Sequence, residues 1–120
     1  MKIVLDTNVV LYFLVGRLIE VLPPAEFFIS VITEMELLSY PLLASAEETI
    51  IHDFCSDVTI VDLNREIKSL AIALRRQHRL KLPDALIAAT AQYLRATLYT
   101  NDLKISSIPL LSTKVVMLKN

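Results

Sequence analysis

Leu82-Pro83-Asp84-Ala85-Leu86-Ile87-Ala88-Ala89-Thr90-Ala91 is the stretch on which the fold turns. Proline suits a first helical position, where its missing N–H would have had no partner, and residues 85–94 then read as a helix that is apolar nearly all round. A helix with no polar face is covered on every side, so this one is central, with Asp84 at its mouth. Short apolar runs at residues 2–5, 27–30, 58–61, 97–100 and 115–118 read as strands. Between them lie helical stretches. Residues 8–14 follow Asp6 or Thr7 as cap, and residues 32–38 stop before Pro41. Ser45 and Glu48 form a capping box that opens a helix running to about Cys55. Ile67, Leu70, Ala71 and Leu74 keep the spacing of one buried face, predicting a helix over 64–77, and residues 103–107 read as a single turn. Alternation of this kind predicts one α/β domain over 1–120, with about five short parallel strands sandwiched between helices.

Composition narrows the function. At 54% hydrophobic residues the chain has apolar area to spare, which points to a protein partner or a second copy. The longest uncharged apolar run, 9–16, is far short of the about 20 residues of a spanning helix, so no membrane segment is expected. Asp6 interrupts the apolar start too early for a secretory signal, and the expected compartment is the cytoplasm. Cys55 is the only cysteine, and His52 and His78 are far apart in sequence, which disfavours zinc. The single glycine, Gly16, excludes a Walker loop and the dinucleotide fingerprint, whose several glycines let the backbone approach phosphates.

Charge is divided along the chain. Residues 1–66 carry eleven acids against Lys2, Arg17 and Arg65, whereas residues 67–120 carry nine bases against only Asp84 and Asp102. The basic cluster Arg75, Arg76, Arg79 and Lys81 reads either as a solvated helix end favoured by the helix dipole or as a phosphate-binding approach to a site at Asp84.

In an open α/β sheet the ligand crevice lies at the carboxyl ends of the strands. Asp6 follows the first strand, Glu36 lies about two turns beyond the second, Asp84 opens the buried helix and Asp102 follows the strand ending at Thr100. Each acid taken alone has an ordinary role: Asp6 as a helix cap, Asp84 at a helix dipole, Glu36 on a helix surface, Asp102 in a turn. Taken together they place four carboxylates at one sheet edge. Grouped carboxylates repel unless a cation sits among them, and oxygen-only ligation selects Mg²⁺ or Mn²⁺. Such an ion clamps a phosphodiester oxygen and acidifies a bound water, so the expected chemistry is metal-assisted phosphodiester hydrolysis.

Four segments resemble the motifs of PIN-domain proteins: Ile3-Val4-Leu5-Asp6-Thr7-Asn8-Val9, Ser30-Val31-Ile32-Thr33-Glu34-Met35-Glu36-Leu37, the stretch from Leu82 to Ala91, and Leu98-Tyr99-Thr100-Asn101-Asp102. Their order and the short length are similar to the VapC-type toxins of toxin–antitoxin pairs. The resemblance implies a PIN-like three-layer α/β/α sandwich. It further implies a Mg²⁺- or Mn²⁺-dependent endoribonuclease, usually a homodimer, held inactive by a cognate antitoxin. It assigns Asp6, Glu36, Asp84 and Asp102 to the metal site, and Asn8 and Thr100 as its polar supports. Where many relatives place an acid and an aromatic after the last aspartate, this chain has Leu103-Lys104-Ile105, leaving open whether one or two ions bind. Glu34 competes with Glu36, but helical geometry turns the two about 200° apart, and Glu36 is chosen because it follows Thr33 by three. Two other classes compete. A catalytically silent PIN scaffold would be favoured by loss of any of the four acids, and all are present. A receiver-type phospho-acceptor needs adjacent acids after the first strand, and Asp6 stands alone.

Overall fold

Ile3, Val4 and Leu5 are all but inaccessible to solvent, and alternation sends Val4 to one face of the sheet and Ile3 and Leu5 to the other. That pattern places the first strand in the middle of the sheet. The computed structural model describes residues 1–120 as β1 (Lys2–Leu5), α1 (Thr7–Leu14), β2 (Glu26–Ser30), α2 (Val31–Leu38), α3 (Ser45–Asp57), β3 (Thr59–Val61), α4 (Arg65–His78), α5 (Leu82–Leu94), β4 (Thr97–Thr100), α6 (Leu103–Ser106) and β5 (Thr113–Val115). The five strands run in the order β3-β2-β1-β4-β5, and every pairing is parallel. Val4 pairs with Phe28 on one side and Leu98 on the other.

The two faces bury separate cores. Val4 and Leu98 pack with Ile67, Ala71 and Leu74 of α4 and with α5, while Ile3, Leu5 and Ile29 pack with Val9, Val10, Leu37, Ile51 and Phe54 of α1, α2 and α3. The result is the expected three-layer α/β/α sandwich. Seven consecutive residues of α5, Ala85 to Ala91, are buried, as the apolar sequence requires. Four of the seven are alanines, which let neighbouring backbones approach closely, and the one hydroxyl, Thr90, donates to the Leu86 carbonyl at 2.8 Å. No helix is long and apolar enough to cross a membrane.

Three local expectations shift. The α3 cap is Ala44, not Ser45, and its box partner is Glu47, not Glu48: Glu47 Oε1 accepts the Ala44 N–H at 3.1 Å, but alanine offers no side-chain oxygen to accept the Glu47 N–H in return. Pro83 is the second residue of α5, after Lys81 as cap and Leu82. The fifth strand is Thr113–Val115, paired with Leu98–Thr100, instead of 115–118. Beyond Val116, whose N–H reaches the Thr100 carbonyl, β4 has ended, and Leu118 bridges antiparallel to Leu18.

The chain builds outward from β1 through β2 to β3, then returns by α4 and α5 to lay β4 against the other side of β1. The carboxyl ends of β1 and β4 therefore flank the point where strand order reverses, which is where an open parallel sheet leaves a crevice.

Candidate functional site

Asp6 sits where β1 ends and α1 begins, its backbone extended as a helix cap requires. Its N–H continues the ladder by donating to the Tyr99 carbonyl at 3.0 Å. The carboxylate is 6% exposed and accepts two hydrogen bonds: the Thr7 N–H to Oδ1 at 2.8 Å and the Thr100 hydroxyl to Oδ2 at 2.9 Å. Burial nonetheless pushes its pKa up to about 6; the two hydrogen bonds oppose the shift, and the charges of Asp84 and Asp102 add to it.

Thr100 joins β4 to the same network. Its oxygen accepts the Asp102 N–H at 3.0 Å while its proton goes to Asp6, so one buried hydroxyl ties two of the acids together. Asp102 caps the short α6 with Oδ1, which accepts from the N–H groups of Lys104 at 2.8 Å and Ile105 at 3.3 Å.

Glu36 reaches the site from α2. Its Oε1 accepts the Thr7 hydroxyl at 2.7 Å, and Thr7 Oγ1 lies 2.9 Å from Thr33 Oγ1. A hydroxyl has one proton and a carboxylate has none to give, so Thr7 donates to Glu36 and accepts from the fully buried Thr33. Thr33 is one turn before Glu36, hence on the same helix face. Glu34 does not share that face. Its charge is felt instead at Cys55, whose thiol pKa is raised by burial first and by Glu34 second.

Asp84, in the first turn of α5, is half-buried, and burial raises its pKa, with further upward pressure from Asp102 and Glu36. Lys81 and Lys104 pull the other way. The four carboxylates thus occupy one electrostatic neighbourhood. Together with Thr7, Asn8, Tyr40, Lys81 and Pro83 they line a single cleft of about 350 Å³.

The fit to a divalent cation follows from this donor set. Every anionic group in the cleft is a carboxylate, with no histidine or cysteine among the lining residues, which suits Mg²⁺ or Mn²⁺ rather than zinc. Burial and mutual repulsion raise two of the acids, a strain that a cation relieves. No three of them converge tightly enough to enclose an ion by protein atoms alone. Mg²⁺ does not need such an enclosure, since it keeps several of its waters and is held through one or two carboxylates.

The remaining expected residues divide. Lys81 borders the cleft, whereas Arg75, Arg76 and Arg79 line a separate groove with Ile72 and Leu80. Asn8 is exposed on the cleft wall, and Thr100 is buried beneath it. Thr7, Thr33, Tyr40 and Lys104 were not among the expected site residues. Thr7 and Thr33 had a local signal in their positions beside Asp6 and one turn before Glu36. Tyr40 and Lys104 had none, because only the packing of distant segments brings them here.

The PIN domain model matches residues 3–110. Among solved structures, a toxin–antitoxin complex from Klebsiella pneumoniae contains a chain 32% identical to this one, with a TM-score of 0.76, covering 90% of this chain and 93% of that one. VapBC-1 from nontypeable Haemophilus influenzae gives 25% identity and a TM-score of 0.73, covering 95% and 97%. DNA-bound VapBC from Salmonella typhimurium gives 20% identity and a TM-score of 0.80, again covering 95% and 97%; at that identity the likeness is one of fold. No curated protein matches the sequence significantly.

Proposed function

The chain belongs to the PIN domain family, and from that premise we propose that it is a Mg²⁺- or Mn²⁺-dependent endoribonuclease, the toxin of a toxin–antitoxin pair, acting in the cytoplasm as one domain over residues 1–120. The observation that carries the reading is the convergence of Asp6, Glu36, Asp84 and Asp102, from four separate segments, on one cleft at the β1/β4 strand switch. Nothing in the packing of a sandwich requires four acids there, and burial makes the arrangement costly for the bare protein.

In this reading Asp6, Glu36, Asp84 and Asp102 hold the cation, directly or through its waters. When bound, the ion supplies a Lewis acid for the phosphoryl oxygen and a water acidic enough to attack at neutral pH. The protein's own residues supply orientation. Thr7 N–H and Thr100 hold the two oxygens of Asp6, Thr100 also accepts the Asp102 N–H, and the Thr33–Thr7–Glu36 chain fixes Oε1 of Glu36, so the Asp6 and Glu36 carboxylates are held in defined orientations. Lys81 and Lys104 lie close enough to Asp84 to lower its pKa, and they offset the field that would otherwise repel a phosphodiester.

An antitoxin partner is supported by the complexes to which the chain is similar and by an apolar groove of about 320 Å³ between α1 and α3, whose lining residue Tyr40 is shared with the acidic cleft. A partner segment lying in that groove would contact Tyr40, which also lines the cleft. Exposed apolar side chains elsewhere, Ile19, Val21 and Met117 among them, support burial against a second copy.

The test is incubation of the purified protein with total RNA in EDTA, Mg²⁺ or Mn²⁺, with cut ends mapped by sequencing. Discrete metal-dependent cuts that disappear in Asp84→Asn are expected. Intact RNA under all conditions would leave a silent interaction scaffold.

A further inference from the structure

Arg75 and Arg76 close the last turn of α4, and Arg79 is its C-cap, held in the left-handed conformation at φ 54°. The three arginines line a groove of about 490 Å³ over Ile72 and Leu80, distinct from the acidic cleft. The chain's two ion pairs, Glu48–His52 and Glu20–Lys114, involve none of them, so three guanidinium groups stand side by side without a carboxylate partner. A helix C-terminus attracts cations, but that attraction places charge near the helix end without requiring a groove. The groove is also fixed from beneath: Arg75 Nε donates to the Leu80 carbonyl at 3.2 Å, and Lys104 Nζ donates to the Arg79 carbonyl at 3.1 Å. The second bond fastens the arginine turn to α6, whose cap is Asp102 of the acidic cleft. Lys81, two residues after Arg79, lines that cleft.

We infer that the arginine groove is a second phosphate-binding site, which holds the backbone of single-stranded RNA beside the nucleotide being cut. Two residues of chain span at most about 7 Å. Neighbouring phosphates along an extended single strand are about as far apart as that. A single-stranded RNA whose scissile phosphate lies in the acidic cleft therefore has a neighbouring phosphate within reach of Arg79. The planar guanidinium groups suit phosphate oxygens bidentately, and the apolar floor of Ile72 and Leu80 suits the sugar or the face of an unstacked base. This inference rests on the nuclease reading of the cleft but assigns a different part of the surface.

The experiment compares wild type with Arg75→Gln/Arg76→Gln/Arg79→Gln. An Arg76→Gln/Arg79→Gln variant spares the Arg75–Leu80 bond in case the triple variant misfolds. Binding of a twelve-nucleotide single-stranded RNA is measured in Ca²⁺ across a salt series, alongside Mn²⁺-dependent cleavage of that RNA and of a dinucleotide too short to reach the groove. Three lost phosphate contacts at about 0.7 each make the slope of log affinity against log salt shallower by about two, and affinity falls at least about tenfold. Cleavage of the long RNA falls with it, while dinucleotide cleavage holds. Arg→Lys replacements at the same positions keep most of the salt slope. An unchanged slope and affinity in a wild type that does bind and cut RNA would overturn the groove and leave the nuclease standing. A wild type that neither binds nor cuts would overturn both. Variants that handle RNA normally but no longer bind an acidic protein segment would also overturn it, making the groove a protein-docking surface.

Discussion

Replacing Asp6 by asparagine changes how stability depends on pH, by an amount the structure specifies. Folding raises the Asp6 pKa from 3.8 to about 6. At about 1.36 kcal/mol per unit, the ionised carboxylate costs the metal-free fold about 3 kcal/mol relative to its protonated form. Because Asp6 is 6% exposed, solvent does little to screen that cost. An acid with a raised pKa binds more protons folded than unfolded, so its contribution is complete below about pH 4 and is lost as the pH rises through about 6. Asparagine keeps the shape and does not titrate. Urea unfolding of both proteins in EDTA isolates the effect of Asp6 and its coupling to Asp84 and Asp102, since groups not coupled to Asp6 cancel in the difference. From about pH 4.5 to about pH 7.5 the stability of wild type relative to Asp6→Asn should fall by about 2 kcal/mol, the part of the total lying in that window. With saturating Mg²⁺ the trend should flatten, because the cation favours the ionised form. A difference that stays constant with pH in EDTA would refute the claim that burial and neighbouring acids strain this carboxylate.

Thr7→Val removes the donor to Glu36 and orphans the buried Thr33 hydroxyl, costing about 2 kcal/mol in urea unfolding. Adding Thr33→Val should recover much of that loss, and additive losses would mean the two hydroxyls are not coupled. Ala44→Ser completes the cap of α3 and should add about 1 kcal/mol, raising Tm by about 4 °C; an unchanged melt would show that the helix does not begin there. Asp84→Asn relieves the repulsion from Asp102 and Glu36, so it should raise Tm in EDTA while blunting the further rise that Mg²⁺ gives to wild type.

The sheet and its carboxyl edge were legible because they depend on local pattern. The run at Ile3 to Leu5 must be buried on both faces, and an acid that ends such a run can lie only at the strand's end. The apolar α5 announced its own central position in the same way. What escaped was set by detail below the pattern or by packing above it. Ala44 occupies the cap position of α3 without a side-chain acceptor, its own N–H donating to Glu47, which a search for hydroxyl residues passes over, and Ser45 drew the reading one position late. Val115 to Leu118 is apolar enough to be a strand, but β4 supplies ladder partners only as far as Thr100. Closeness in sequence suggested that Arg75, Arg76, Arg79 and Lys81 form an approach to the site at Asp84. Lys81 lines the cleft itself, and the three arginines line a groove of their own on the other side of the left-handed turn at Arg79, a division that the sequence did not announce.

The central claim is that the four carboxylates form a divalent-cation site, and anomalous diffraction from crystals grown with Mn²⁺ tests it most directly. The account predicts a Mn²⁺ peak in the cleft about 2.2 Å from at least one oxygen of Asp6, Glu36, Asp84 or Asp102, with waters completing an octahedral shell. The same peak should be absent from Asp84→Asn crystals. A wild-type cleft without anomalous density at millimolar Mn²⁺, or density bound only elsewhere on the chain, would contradict it.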